Sequence, residues 1–224
     1  MMDSKMNEDL SQRALIQTRD QAWQESGAKG VWMKPLARVT DPHGRSTSMV
    51  RIDPGACWDP THLDWGLELF VVDGNCQSEE LQLRKGDYVY LPATAVRALT
   101  SVAGCTLFAE EGAHSDGDDE LVHVHSDATP WLPGQGKLRV MPLHAHGPQS
   151  AALVQWPDGE RFLPHRHMGG EEILVLSGVF MDEHGEYPVG TWLRSPHLSN
   201  HHPFVKHETV ILVKVGHLLA AQTS

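Results

Sequence analysis

The apolar positions of this chain come in short bursts. Met49-Val50-Arg51-Ile52, Leu69-Phe70-Val71-Val72, Tyr88-Val89-Tyr90-Leu91, Ile173-Leu174-Val175-Leu176 and Val210-Ile211-Leu212-Val213 are separated by stretches that contain Gly, Pro, Asp, Asn or Ser. β-rich segments separated by turn residues predict short strands, the text of an all-β sandwich or barrel. A sustained helical period is absent, and only residues 6–16 have a pattern that could make a helix. The runs 173–176 and 210–213 are apolar at every position rather than at alternate ones. A strand wetted on one face alternates, so these two should be covered on both faces. Another layer of the same chain, or a second chain, would supply that cover. The expectation is two barrels packed together, with a homodimer as the alternative source of cover.

The pattern repeats. Sliding the chain by about 104 residues sets Trp32-Met33-Lys34-Pro35-Leu36 against Leu138-Arg139-Val140-Met141-Pro142-Leu143. Met49–Gly55 then answers to Leu153–Gly159, Glu68–Gly74 to Glu171–Gly178, and Lys85–Pro92 to Val189–Pro196. Trp23 has its counterpart in Trp131. Matches that recur in order along the chain indicate duplication. The division expected is a tail over 1–18, a first copy over 19–112, an acidic linker over 113–120, and a second copy over 121–224.

Candidate chemistry is concentrated in the second copy. In an extended segment His165 and His167 share a face, and Glu171 has the same parity. Gly169-Gly170 permits a tight turn that would bring Glu171 back towards the imidazoles. His201 follows beyond Gly190 and Pro196. Three imidazoles and a carboxylate suit zinc, iron, copper or nickel rather than magnesium or calcium. His165, His167, Glu171 and His201 are therefore the candidate ligands of one divalent transition ion. His202 and Glu172 have the opposite parity and should point away, while Met168, Phe180 and Trp192 are candidates to line the site.

The first copy offers His62, Asp64, Glu68 and Arg97 at the matching places. A guanidinium has no lone pair to give a metal. Arg97 could instead pair with Asp64 or Glu68, so a structural role is expected for this copy. His123-x-His125 and His144-x-His146 also alternate, but neither has a carboxylate at the right spacing, and polar contacts are the expectation for both.

Charge and cysteine content narrow the function. The net charge is −11, from 18 basic and 29 acidic residues. That argues against a nucleic-acid-binding surface, which needs clustered Lys and Arg. Twelve of the 15 histidines lie after position 120. The stretch Glu110–Glu120, with six carboxylates, reads as solvated linker. Cys57, Cys76 and Cys105 are widely spaced without a Cys-x-x-Cys, as expected of buried, reduced thiols in a cytoplasmic protein. The polar N-terminus is unlike a signal peptide, and no apolar run approaches the length of a membrane span.

The whole pattern (glycine, five residues, His-x-His, three residues, Glu, six residues, glycine, followed by Gly190, five residues, Pro196 and then His201) is the two-part signature of the cupin superfamily. His165–Gly185, with Tyr187–Arg194 after it, resembles the C-terminal cupin of ChrR-type anti-sigma factors. The resemblance is strong over 135–215 and recognisable over 20–112. It implies a bicupin of two tandem double-stranded β-helix (jelly-roll) barrels, of about eight strands each. It also implies a zinc ion on the positions matched by His165, His167, Glu171 and His201. An extracytoplasmic-function sigma factor is the partner implied, although the His-x-x-x-Cys-x-x-Cys of the N-terminal anti-sigma module is missing. Two functions follow. One is a regulatory sensor of a small molecule or oxidant, with zinc ahead of iron. The other resembles the small cupin dioxygenases of diketones or hydroxy-ketones, with iron and with Glu171 able to act as a base.

Overall fold

Strands dominate the computed structural model, which describes residues 6–39, 45–61, 65–112 and 117–218. The chain divides into two compact units, Met1–Glu8 with Gln21–Thr129 and Asp9–Asp20 with Pro130–Ser224.

The first unit is built on a sheet ordered Val122–His125, Asp87–Leu91, Leu67–Gln77, Cys105–Glu111, Ser46–Ile52, Val31–Arg38 and Gln24–Glu25. The second has Ala14–Gln17, Thr191–Ser195, Glu171–Ser177, Thr209–Val215, Gln149–Trp156, Arg139–His146 and Leu132–Pro133 in the corresponding order. All these pairings are antiparallel. Short strands complete each roll, including Cys57–Trp58 with Leu99–Thr100 in the first unit, and His165–Arg166 with Asn200–His201 and Val179–Asp182 with Gly185–Pro188 in the second. The likeness of the two sheets is the duplication seen along the chain.

Each roll closes on its own apolar core. In the first unit Val50, Ile52, Leu67, Leu69, Leu91 and Leu107 are all buried. In the second the core is more aromatic, with Trp156, Phe180 and Tyr187 packed among Ile173, Leu193 and Ile211. Ile173, Leu174 and Val175 are buried in succession, as are Ile211 and Leu212, so both faces of these strands are out of water.

Two local findings differ from the sequence reading. Residues 6–16 form no helix; Ala14–Gln17 is instead a strand, paired with Thr191–Ser195 from Ala14 opposite Arg194 to Gln17 opposite Thr191. Propensity is a weak guide where a neighbouring strand offers an open edge. Cys76 and Cys105 are buried thiols, but Cys57 is exposed.

Candidate metal centre

The strand His165–Arg166 lies against Asn200–His201 with His165 directly opposite His201. Facing residues of an antiparallel pair put their side chains on one side of the ribbon. The chain then turns through Gly169 and Gly170, at φ +79° and +77°, a region that only glycine enters without strain. A Cβ at Gly169 would come within 2.6 Å of the Gly216 Cα, so close backbone packing also requires glycine there. Glu171 opens the next strand.

This local folding brings all four predicted residues together. One ligand atom from each of His165, His167, Glu171 and His201 lies within 4.8 Å of the others. Glu171 Oε1 is 3.5 Å from His167 Nδ1, and Oε2 is 3.7 Å from His201 Nε2. Such separations fit ligands gathered around one ion at bond lengths of about 2.0–2.2 Å. His167, Glu171 and His201 are buried, and His165 is half-buried.

The polar atoms at the centre have nothing else to bind. His167 Nε2, His201 Nε2 and Glu171 Oε2 are buried without a hydrogen-bond partner. Buried lone pairs left unmatched in this way are costly, and a bound cation is one partner that would match all of them. The electrostatics of the site agree. Burial pushes the Glu171 carboxyl up to about 7, with His201 pulling it down and Asp182 pushing it up. Burial, helped by His201 and His165, holds His167 down at about 3, and burial lowers His165 as well. The imidazoles of His165 and His167 are thus biased towards the neutral form that a metal requires.

Outer contacts orient the rings. His165 Nδ1 is 3.0 Å from the Leu163 carbonyl oxygen, to which it donates, leaving Nε2 for the centre. His201 Nδ1 faces Asp182 Oδ2 at 3.4 Å. Asp182 in turn accepts from the Tyr187 hydroxyl at 2.5 Å, the His184 amide at 2.8 Å and Arg13 at 3.2 Å. Arg13 also donates to the Tyr187 hydroxyl. Burial alone would raise the Asp182 carboxyl, but these donors and the Arg13 charge hold it at about 2. A carboxylate behind an imidazole fixes its tautomer and strengthens it as a ligand. Asp182 and Arg13 had no assigned part in the sequence reading. The hairpin that sets Asp182 opposite Gly185 was a usable signal for Tyr187, but nothing local pointed to Arg13.

Above the four residues lies a cavity of about 220 Å3. His165, Glu171 and His201 line it together with Trp156, Phe162, Phe180 and aliphatic residues. Phe180 therefore lines the site as expected, whereas Met168 is exposed and Trp192 is buried away from the cavity lining. His202 is exposed, with its amide donating to Glu183, and Glu172 faces His217, both off the centre as their parity predicted.

The first unit lacks this set in two described places. Leu67 pairs with Leu91 and Glu111, as Glu171 pairs with Ser195 and Val215. The Gly112 amide donates to the Gly66 carbonyl, as the Gly216 amide does to that of Gly170. By register, then, Leu67 stands where Glu171 does, and Glu68 corresponds to Glu172. This corrects the match of Glu68 to Glu171, which ignored a one-residue slip. Arg97 donates to the Thr94 and Val96 carbonyl oxygens at 2.8 and 2.9 Å, and among the described residues it meets no carboxylate. Glu68 hydrogen-bonds Tyr88. His62 and Asp64 lie outside the described residues.

A family model described as "ChrR Cupin-like domain" matches residues 11–115 and again 119–219. The chain belongs to this family and carries two of its cupin domains in tandem. No curated protein matches it. Among solved structures, a Nostoc punctiforme protein with a provisional dioxygenase assignment superposes at a TM-score of 0.75 and 15% identity, over 94% of this chain and 85% of that one. Protein YlbA of Escherichia coli gives 0.71 and 13%, over 96% and 94%. The E. coli pirin YhhW, solved with nickel(II), gives 0.62 and 12%, over 91% and 98%. At these identities the likeness is one of fold. Among the described residues no helix is long and apolar enough to cross a membrane.

Proposed function

We propose that this chain is a metal-dependent regulatory protein of the ChrR-like cupin type. A small molecule or oxidant would be sensed at one divalent transition ion held by His165, His167, Glu171 and His201. The observation that carries this reading is the convergence of three buried, unpartnered atoms, His167 Nε2, His201 Nε2 and Glu171 Oε2, beneath an apolar cavity. A bound ion would supply Lewis acidity and an exchangeable coordination position. Asp182 would keep the His201 lone pair aimed inwards, and Phe162, Phe180 and Trp156 would select a compact, mostly apolar ligand and exclude bulk water. Zinc is preferred to iron, because a closed set of four side chains satisfies it without substrate. Cys57, Cys76 and Cys105 are free thiols, in keeping with a reducing cytoplasmic setting. An extracytoplasmic-function sigma factor is the partner proposed from the family. The division between the two sequence copies at the acidic stretch 113–120 is proposed on the same footing, since one family match ends and the next begins within it, at 115 and 119, even though Val122–His125 joins the first unit's sheet.

The cavity also favours a second reading. An apolar chamber that opens on three of the four ligands suits a dioxygenase acting on a small diketone or hydroxy-ketone, with Glu171 as base. Elemental analysis of protein purified without added metal, combined with oxygen uptake by the iron-loaded protein on small diketones, separates the two. Near-stoichiometric zinc and no oxygen uptake are expected. Iron with diketone-dependent uptake would replace the regulatory reading by the enzymatic one, and co-elution with a sigma factor would extend the regulatory reading to anti-sigma activity.

A further inference from the structure

We propose a second transition-metal site, in the first unit, formed by Asp87, His123 and His125. It does not depend on the centre at His165. The three residues come from two strands that are far apart in sequence. Val122–His125 is the edge strand of the first unit's sheet, and it pairs with Asp87–Leu91 so that His125 faces Asp87 and His123 faces Val89. Residues two apart on a strand share a face, so the register puts both imidazoles on the side of Asp87. Local sequence around His123-x-His125 has no glutamate at the spacing found after His167, and Asp127 is held by Arg84; strand pairing supplies Asp87 instead.

The geometry is that of ligands round an ion. One ligand atom from each residue lies within 4.8 Å of the other two. His123 Nε2 stands 3.4 Å from Asp87 Oδ2, and His125 Nδ1 stands 3.2 Å from Asp87 Oδ1. Charge-assisted N–H···O bonds are usually about 2.7–2.9 Å, so both contacts are long for that purpose. Two ligands at about 2.0–2.1 Å from one tetrahedral ion are about 3.3 Å apart, which is what the pairs show. The two rings are 4.1 Å apart between centroids, close enough to present their nitrogens to one space beside Asp87.

The surroundings leave the site both anchored and reachable. The Asp87 side chain is 2% exposed, and its Oδ2 also accepts from the Arg84 amide at 3.0 Å. His125 is 44% exposed and lines a cavity of about 310 Å3 with Arg84 and Cys76. The competing cation is the Arg84 guanidinium, whose Nε is 4.0 Å from Asp87 Oδ1, but whose terminal nitrogen is held by Asp127 at 2.7 Å. Two imidazoles and one carboxylate, with a position open to water, fit zinc.

The test is a zinc titration of the full-length, chelator-stripped protein, with bound metal counted after removal of free ion. Wild type should retain one more equivalent than His125→Ala, and His123→Gln should repeat the loss. His125 lies on an edge strand and is half-exposed, so its removal should leave the circular dichroism spectrum intact; Asp87→Ala serves as the third variant. His201→Ala should lose a different equivalent, and combining it with His125→Ala should leave none. If wild type holds a single equivalent that His125→Ala removes and His201→Ala does not, the His165 centre fails and this one stands. If His125→Ala and His123→Gln bind as many ions as wild type, the Asp87 cluster is only a hydrogen-bonded pair of strands and the proposal is overturned.

Discussion

The two units share one strand order and one register, yet they treat the same place in opposite ways. Where the second unit has Glu171, the first has Leu67, fully buried in an apolar core. Where the second has His201, the repeat puts Arg97, whose guanidinium binds the carbonyls of its own turn. The second unit thus leaves polar atoms without partners at its centre, whereas among the described residues of the first a leucine stands in place of the glutamate. A leucine at this place carries no desolvation cost, whereas a buried carboxylate there has to find a partner for its charge.

Exchanging residues between the units should break that contrast. The largest effect is expected from Glu171→Leu, which copies the first unit into the second. Bound metal at this centre should disappear from elemental analysis. The stabilisation that a tightly bound ion adds, about 4 kcal/mol at a thousandfold excess over its dissociation constant, should vanish from thermal melts. The metal-free variant should nevertheless melt above metal-free wild type, since the buried carboxyl is gone. The reverse exchange, Leu67→Glu, should create no site, because Arg97 occupies the corresponding second position. It should destabilise the first unit by about 3–5 kcal/mol in urea unfolding, from a lost buried leucine and an unpaired carboxyl.

Smaller effects sharpen the comparison. Asp182→Asn removes the carboxylate behind His201, a support specific to the second unit, and metal affinity should fall about 10–100-fold in a competition titration with a chelator. The pH dependence comes next. Glu171 is raised from 4.5 to about 7, so in the metal-free protein its stabilising contribution is complete below 4.5 and lost as pH rises through 7. His167 is lowered from 6.5 to about 3, so its contribution is complete above 6.5 and lost as pH falls through 3. Metal-free protein should accordingly be most stable between these limits. The metal-bound form requires both groups deprotonated, and its apparent affinity should drop up to about tenfold per unit as pH falls below 7, read by titration at successive pH values. Least of all, Arg97→Ala should cost about 1 kcal/mol or less and leave metal content unchanged.

Much of the centre was legible in the residues themselves. His165, His167 and Glu171 sit within one turn of chain, where alternation and two glycines dictate which side chains meet. His201 is carried by the repeat and the cupin pattern. What escaped was whatever depends on pairing between distant strands. Arg13 reaches Asp182 across 169 positions. The match of Glu68 to Glu171 was off by one, because only the ladder reveals that Leu67 is the residue facing Leu91. The helix considered for residues 6–16 gave way to a strand because Thr191–Ser195 offers Ala14–Gln17 an edge to complete.

By itself, then, the order of residues determined that the chain is all-β, that it is duplicated, and that one copy carries a candidate transition-metal ligand set. Periodicity and turn chemistry act over a few bonds, so such features survive without knowledge of the fold. Tertiary structure alone decided which strand completes each sheet's edge, which carboxylate stands behind His201, and that Asp87 meets His123 and His125. Those outcomes depend on hydrogen-bond register between segments far apart in the chain, and no local pattern encodes a register until both strands are in place.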